Sequence, residues 1–429
     1  MNRANLAQSL AGSLVCCDWT LWAVEHHLTS RLPSGWSKTA SNLASELIAA
    51  FPAPYVPSQA ALVQRLISSD YLTRILDHAM KHDLRFSPIL DSARFAPIPA
   101  FEGLDIPQMT TLSDLADYLA LNTDQLVRFT DLMGLSNGTD NVFAPHYRFH
   151  LIAKRNGRQR LIEEPKPVLK SLQRRVFQTI LNKVPVHDEA YGFVPGRSCR
   201  DAAARHTGEQ VVIGFDLRNF FPSVSYGRIY GLFRALGYPD GVAHHLCGLC
   251  TIRTPPHIRA RMSYDDGRGL EARHLPQGAP TSPALANLVC HRLDCRLSGL
   301  AHSLDARFTR YADDLTFSGD RRMANAILKV VPQIVTSEGF ALNPTKTRCQ
   351  GQHGRQVTTG IVVNSHINLP RETYDYLKAV LHHLIQPKDP RRGDPAFLKS
   401  LSGQIGWVEQ INPGKGAKLR EKFDQIIQH

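Results

Sequence analysis

The chain has 429 residues, of which 43% are hydrophobic and 21% charged, the balance of a soluble globular protein with room for two or three domains and a large core. No apolar run approaches the ~20 residues of a membrane span, and the mildly apolar stretch from Ala11 to Ala23 is broken by Asp18, so a cytoplasmic protein without signal peptide or membrane contact is expected. The net charge of +12 is unevenly placed: residues 1–140 hold 9 Lys/Arg against 14 Asp/Glu, and the remainder holds 41 against 24. A basic body of that size belongs either to a protein that meets a polyanion, nucleic acid being the commonest, or to one with a solvated basic surface.

In chain order, the first ~100 residues show helical periodicity, as in Ala60–Ile67 and Tyr71–Leu76. The proline-spaced stretch from Pro88 to Pro107 reads as a linker or an irregular packing arm. A helix is expected from Thr111 to Leu119, and a second with Thr123 as N-cap and Leu126, Phe129 and Leu132 on its apolar face. Two short helices at a tight turn fit a DNA reader, but Arg128 stands beside Asp124 and Asp131, so packing or protein contact is the better reading. From His146 onward, short strands alternate with helices in a segment dense in Arg and Lys.

The eight cysteines form no secreted-type disulfide framework. His244-His245-Leu246-Cys247-Gly248-Leu249-Cys250 looks like a metal motif, yet no second pair lies at zinc spacing, and buried thiols on a helix are expected instead.

Three segments carry chemistry. Val211–Phe215 is an apolar strand that ends in Asp216, and a helix-compatible segment follows from Pro222-Ser223. A charge at the end of a buried strand is costly unless used or paired; it serves either a site or the cap of the next turn. Leu275-Pro276-Gln277-Gly278-Ala279-Pro280-Thr281-Ser282-Pro283 gives backbone that can approach a flat ligand closely, then a helix start at Ser282-Pro283. Tyr311-Ala312-Asp313-Asp314 sits between two β-type runs, Arg307–Arg310 and Leu315–Ser318. Adjacent carboxylates repel unless a cation offsets them, and hard ions such as Mg²⁺ favour such oxygens. Tyr264-Asp265-Asp266-Gly267 has no strand after it and reads as an exposed loop.

In this order the three segments resemble bacterial reverse transcriptases, most closely those of retrons, from about His146 to the C-terminus. Arg155–Pro165 is similar to the family's fingers strands and Tyr191–Ser198 to its second fingers motif. Gly339–Thr347 is similar to the lysine-bearing palm motif, and Val357–Asn364 to the primer-grip region. Two departures bear on the subgroup: the chain has Thr358-Thr359-Gly360 where retron enzymes often read Val-Thr-Gly, and Asp201–His206 only partly matches their Asn-Ala-x-x-His element.

The resemblance implies an α+β fold, a right-hand polymerase with fingers, palm and thumb. Its palm would be an antiparallel sheet flanked by helices, behind a mainly helical N-terminal extension. The expected division is 1–140 extension, 141–365 fingers and palm, and 366–429 helical thumb. Asp216, Asp313 and Asp314, with the backbone carbonyl of Leu217, would hold two Mg²⁺ ions about 3.5–4 Å apart. Lys154 and Arg160 would clamp the triphosphate of a deoxynucleotide, Phe221 would exclude a ribose 2′-OH, Gln277 and Gly278 would line the nascent base pair, and Lys346 would protonate pyrophosphate. Arg197, Thr359, Gly360, Lys415 and Lys418 are expected at primer or RNA. For Lys415, Lys418, Arg420 and Lys422 a solvated helix end is the alternative.

The implied activity is RNA-directed DNA synthesis on a structured non-coding RNA, giving retron multicopy single-stranded DNA primed from an RNA 2′-OH, in anti-phage defence. Two alternatives remain: another defence-associated reverse transcriptase with unusual or template-independent synthesis, or an RNA-bound scaffold for a toxin or effector docked through residues 1–140. A group II intron enzyme is disfavoured by the short stretch after Asn364.

Overall fold

The computed structural model describes residues 3–14, 19–31, 35–52, 57, 59–81, 94–132, 134, 145–153, 159–385 and 389–428. Two compact units result, Met1–Pro185 with Asn219–Val289, and Val186–Arg218 with Cys290–His429. The elements in chain order are α1 (Arg3–Leu14), α2 (Leu21–Arg31), α3 (Ser37–Ala50), α4 (Gln59–Ser68), α5 (Asp70–Lys81), α6 (Leu112–Leu119), α7 (Thr123–Thr130), β1 (Tyr147–Ala153), β2 (Gln159–Pro165), α8 (Pro167–Thr179) and α9 (Cys199–Ala204). There follow β3 (Val211–Asp216), α10 (Phe220–Ser223), α11 (Tyr226–Ala235), α12 (Asp240–Cys250), α13 (Pro256–Arg259), α14 (Tyr264–Arg268), α15 (Ser282–Val289) and α16 (His291–Ser303). The last are β4 (Arg307–Tyr311), β5 (Asp314–Gly319), α17 (Met323–Ser337), β6 (Arg348–Gly351), β7 (Val357–Thr358), β8 (Ile361–Val362), α18 (Arg371–Leu384), α19 (Pro395–Ile411) and α20 (Pro413–Gln428). The architecture is α+β, with every strand pair antiparallel.

In the first unit, α1–α5 bury one leucine-rich core, with Leu6, Leu10 and Leu14 meeting Leu43, Leu47, Leu62, Leu66, Leu72 and Ile75. The intervals of three and four residues put each set on one helix face. The proline-spaced stretch is a packing arm where it is described: Ala96 N–H donates to the Gly237 carbonyl and Ile98 N–H to that of Ala235. The helix expected from Thr111 is α6, with Thr111 as its cap. The cap of α7 is Asn122 rather than Thr123, because the Asn122 side chain accepts from the Gln125 N–H in a reciprocal capping box. Leu126 is buried, but Leu132 lies past the helix end and is exposed.

Tyr264-Asp265-Asp266 is not a loop but the start of α14, since Ser263 caps it and exchanges hydrogen bonds with Asp266. In α12, Cys247 and Cys250 are buried, and burial pushes the Cys250 thiol up to about 12. The adjoining histidines are engaged elsewhere, His244 with the Tyr226 hydroxyl and His245 with the Gly241 carbonyl.

The second unit is built on a four-stranded sheet in the order β4-β5-β3-β6. Strand alternation gives it two chemically different faces. On one, Phe215, Phe308 and Phe317 pack ring against ring. The other carries Asp216, Val212, Thr309, Thr316 and Ser318. Two covers meet its hydroxyls: Thr358 in β7 bonds Thr316 at 2.8 Å, and His206, just past α9, bonds Ser318 and Thr309 at 2.7 Å each. Beyond β8, helices α18–α20 share a core in which Leu377, Leu381, Leu384, Leu401, Ile405, Val408, Leu419 and Phe423 join Val212 and Ala203.

His206 makes stability depend on pH. It is fully buried between two hydroxyls, and burial, helped by Arg205 and Arg307, lowers its pKa to about 3. Below about pH 6.5 the unfolded chain takes up a proton that the folded chain refuses, so stability present above pH 6.5 is lost as pH falls toward 3. The slope from this group is about 1.4 kcal/mol per pH unit. Urea unfolding at pH 7.5 and 5.0 should show the loss, and His206→Gln should flatten the difference while lowering stability at both.

Candidate active site

The hairpin at the Tyr311 turn forms as its sequence implies. Tyr311 pairs with Asp314 across a two-residue turn, with Ala312 at φ 56°. On the other side of β5, Asp216 at the end of β3 is the direct register partner of Asp314. The chain just past β3 is tied to both neighbours: Leu217 N–H donates to the Asp313 carbonyl at 2.9 Å, and Asn343 N–H donates to the Asp216 carbonyl at 2.8 Å. Three carboxylates from two strand ends and one turn therefore share one end of the sheet.

Their charges interact. Desolvation, then the like charges of Asp313 and Asp216, push Asp314 up to about 6, against the pull of Lys346 and Arg348. Lys346, on a 3-10 turn at Pro344–Lys346, donates its ammonium to Asp216 Oδ2 at 2.7 Å. Asp216 is 8% exposed and Lys346 53%, so the carboxylate sits at the floor and the lysine reaches in from solvent. Among the described residues no group of three or more His, Cys, Asp and Glu is close enough to form a ready-made metal cage. The donor set nonetheless suits a hard divalent ion: carboxylate oxygens in register, crowded enough to raise one pKa, with a lysine partly neutralising them.

Beneath the turn lies a feature that the sequence reading did not single out. Arg310 in β4 and Asp294 in α16 are both wholly buried and form a bidentate pair, with Nε and Nη2 each 2.6 Å from a carboxylate oxygen. The third nitrogen, Nη1, donates to the Ala312 carbonyl at 3.3 Å. Arg310 also exchanges backbone hydrogen bonds with the 189–191 segment, through Glu189 O and Tyr191 N. Gly192 follows directly, and a Cβ there would stand 2.4 Å from the Ala312 nitrogen. The Tyr191–Ser198 motif, expected among fingers elements, thus packs against the carboxylate turn itself. The sequence signal was an Arg immediately before Tyr311 and a Gly that only close backbone approach requires.

The remaining residues divide between the units. In the second, Thr359 and Gly360 form the two-residue turn between β7 and β8, with φ 48° and 83°. Both positive values mark a type I′ hairpin turn, in which a β-branched residue is strained. The Thr358 hydroxyl that replaces the family's valine is satisfied by Thr316. Arg197 is not held out toward nucleic acid: its Nη1 donates to the carbonyls of His187, Asp188 and Ala190, each at 2.8 Å. Lys415 bonds Asn368 and lies 5.1 Å from the Tyr374 ring, whereas Lys418 and Lys422 are exposed. Arg420 is committed to Glu409 and Ser402.

In the first unit, Arg160 is exposed on β2, opposite Ile152. Phe221 is half-buried beside Phe220, with ring centroids 5.4 Å apart. Gln277 and Gly278 lie on the loop before α15, and Gly278 is at φ 134°. Lys154 lies outside the described residues.

Arg310→Met should strand the Asp294 charge in the core and cost about 3–5 kcal/mol of stability, while Arg310→Met with Asp294→Leu should recover much of it. Denaturant midpoints of the two variants test this. Gly192→Ala should abolish the fit against Ala312, lowering activity far more than the same change at the open position Gly299. Matched activity assays would compare the two.

The reverse transcriptase (RNA-dependent DNA polymerase) family matches residues 152–367. The chain is 41% identical over 280 residues to the retron Mx65 reverse transcriptase of Myxococcus xanthus, covering 65% of this chain and 64% of that protein. It is 38% identical over 304 residues to the retron Mx162 reverse transcriptase of the same organism, covering 66% and 61%. Against the retron Ec86 reverse transcriptase of Escherichia coli it is 30% identical over 330 residues, covering 73% of this chain and 92% of that protein. The chain thus spans less than two thirds of the length of the two Myxococcus relatives. Reverse transcriptases use divalent metal ions, in keeping with the carboxylate set. With the match over the segment that holds Asp216, Asp313 and Asp314, the chain belongs to the reverse transcriptase family, as one of its retron-type members.

Proposed function

We propose that this chain is an RNA-directed DNA polymerase that copies a structured non-coding RNA. The observation that carries the reading is the pairing of Asp216 with Asp314 across β3 and β5, with Asp313 on the adjoining turn. In this reading residues 141–365 are fingers and palm and 366–429 the thumb. The product is multicopy single-stranded DNA primed from an RNA 2′-OH and used in phage defence, with residues 1–140 docking a toxin or effector.

Asp216, Asp313 and Asp314, with the Leu217 carbonyl, would hold two Mg²⁺ ions, whose chemistry is to acidify a primer hydroxyl and neutralise the leaving pyrophosphate. The chain's own groups do the rest. Lys346 moderates the carboxylate charge through its bond to Asp216 and carries a proton that pyrophosphate can take as it leaves. Arg160 and Lys154 hold the triphosphate, the Arg fork matching phosphate oxygens. The Phe221 ring excludes a 2′-hydroxyl and selects deoxynucleotides, while Gln277 and Gly278 lie along the base pair. Thr359 and Gly360 present backbone to the primer strand, and Lys415 and Lys418 contact RNA phosphates.

The test is the double variant Asp313→Asn/Asp314→Asn. It should still purify with RNA yet lose dNTP incorporation on a primed RNA template by on the order of 10³-fold or more. Sequencing of the nucleic acid bound to the wild type should return one covalent RNA–DNA species. Full biological activity in the double variant would remove polymerisation as the function, and heterogeneous DNA would favour template-independent synthesis.

A further inference from the structure

The loop that carries Gln277 and Gly278 is anchored by a buried ionic network in the first unit. His274 and Glu163 are each 1% exposed. His274 Nε2 lies 3.0 Å from Glu163 Oε2, and Nδ1 lies 2.8 Å from the Ala272 carbonyl. With Glu163 ionised, both of these partners only accept, so both ring nitrogens donate and the imidazole is the charged form. Burial works against that charge, and the Glu163 carboxylate outweighs it, holding the pKa above its ordinary value. The other carboxylate oxygen accepts from Thr254 Oγ1 at 2.6 Å. Each polar atom of the Glu163 and His274 side chains thus has a partner, as a buried network requires.

Glu163 grips the loop twice. Its side chain holds His274, and its backbone N–H donates to the Gln277 carbonyl at 2.9 Å. Gly278 follows so closely that a Cβ would stand 3.0 Å from the Glu163 carbonyl oxygen and 3.2 Å from Ile162 Cγ2. The other side of the segment is pinned as well, since His274 and Ile252 exchange both backbone hydrogen bonds at 3.0 Å. Arg160 lies three residues earlier on the same strand as Glu163. Apolar pairs of similar volume often match a buried ion pair in stability. What they could not supply is two directional bonds fixing which loop residue faces which strand residue.

We infer that Glu163 and His274 are positioning residues for nucleotide binding, a charged pair that sets the register of the Gln277-Gly278 loop on β2. The inference rests on the polymerase reading for its link to nucleotide, but its structural half can be measured without substrate. With ¹⁵N-labelled histidine, the signal lost in His274→Gln identifies His274, which should show both nitrogens protonated at pH 7. Hydrogen exchange should show the Glu163 amide protected in the wild type and faster in His274→Gln.

With a primed RNA template, His274→Gln and Glu163→Gln should raise KM for dNTP roughly tenfold and change kcat by less than about threefold. The apolar double variant Glu163→Leu/His274→Met separates positioning from bulk stability: it should melt near the wild-type temperature yet keep the raised KM. A neutral His274 at pH 7, an unchanged Glu163 amide, or a wild-type KM in the apolar double variant would each overturn the inference. Absence of incorporation by the wild type would instead overturn the polymerase reading, leaving the charge and exchange measurements to decide the pairing.

Discussion

Three carboxylates with too little opposing charge want to separate, and the second unit is arranged so that they cannot. Asp314 registers its burial first and then this repulsion, which together push its pKa up to about 6. A free hairpin tip would relieve it by splaying. Here the register of β3 on β5 fixes Asp216 against Asp314, and the Leu217–Asp313 backbone bond closes the gap at the turn. Arg310 holds the Ala312 carbonyl from below, and Gly192 leaves no room for the turn to fall back. The Arg310–Asp294 pair is costly to desolvate, and its worth lies in direction: a planar guanidinium locked on both oxygens has one nitrogen left, and it points at the turn.

The same sheet solves two problems with its two faces. The aromatic face, Phe215, Phe308 and Phe317, supplies apolar burial. The opposite face is lined with hydroxyls and ends in the carboxylates, and those hydroxyls meet hydroxyl or imidazole partners, while Val212 on the same face joins the apolar core of α18–α20. Thr358 belongs to this pattern. A valine there would leave the Thr316 hydroxyl without this partner, so the residue at 358 bears directly on a strand of the four-stranded sheet.

What was legible in the sequence were features whose meaning is local. Asp216 ends an apolar run, Asp313 and Asp314 interrupt two β-type runs, and Gln277-Gly278 precedes a helix start. Each announces itself within about ten residues, and each occupies the expected element. Features that depend on a distant partner were hidden. Arg310 reads as an ordinary strand residue until Asp294, 16 positions upstream on a helix, is brought beneath it. Glu163 and His274 are 111 positions apart. Arg197 looks available for phosphate, but three nearby carbonyls claim it. The small errors at Thr123 and Tyr264 have a further cause: adjacent residues of similar capping strength compete, and Ser263 outweighs the glycines that follow Asp266.

The core shared by α18–α20 bears on how such a chain can be modified. Val212 in β3 and Ala203 in α9 belong to the same buried cluster as Leu377, Leu401 and Phe423. The C-terminal helices are therefore not an appendage attached to a finished sheet. They complete the apolar cover of the strand that ends in Asp216. A chain shortened before Arg371 would expose that strand's flank to water, and exchanging these helices for those of a relative would transplant half of a hydrophobic interface without its complement. Substitutions at solvent-facing positions of these helices such as Lys418 and Lys422 leave that shared core intact, whereas wholesale replacement of the segment does not.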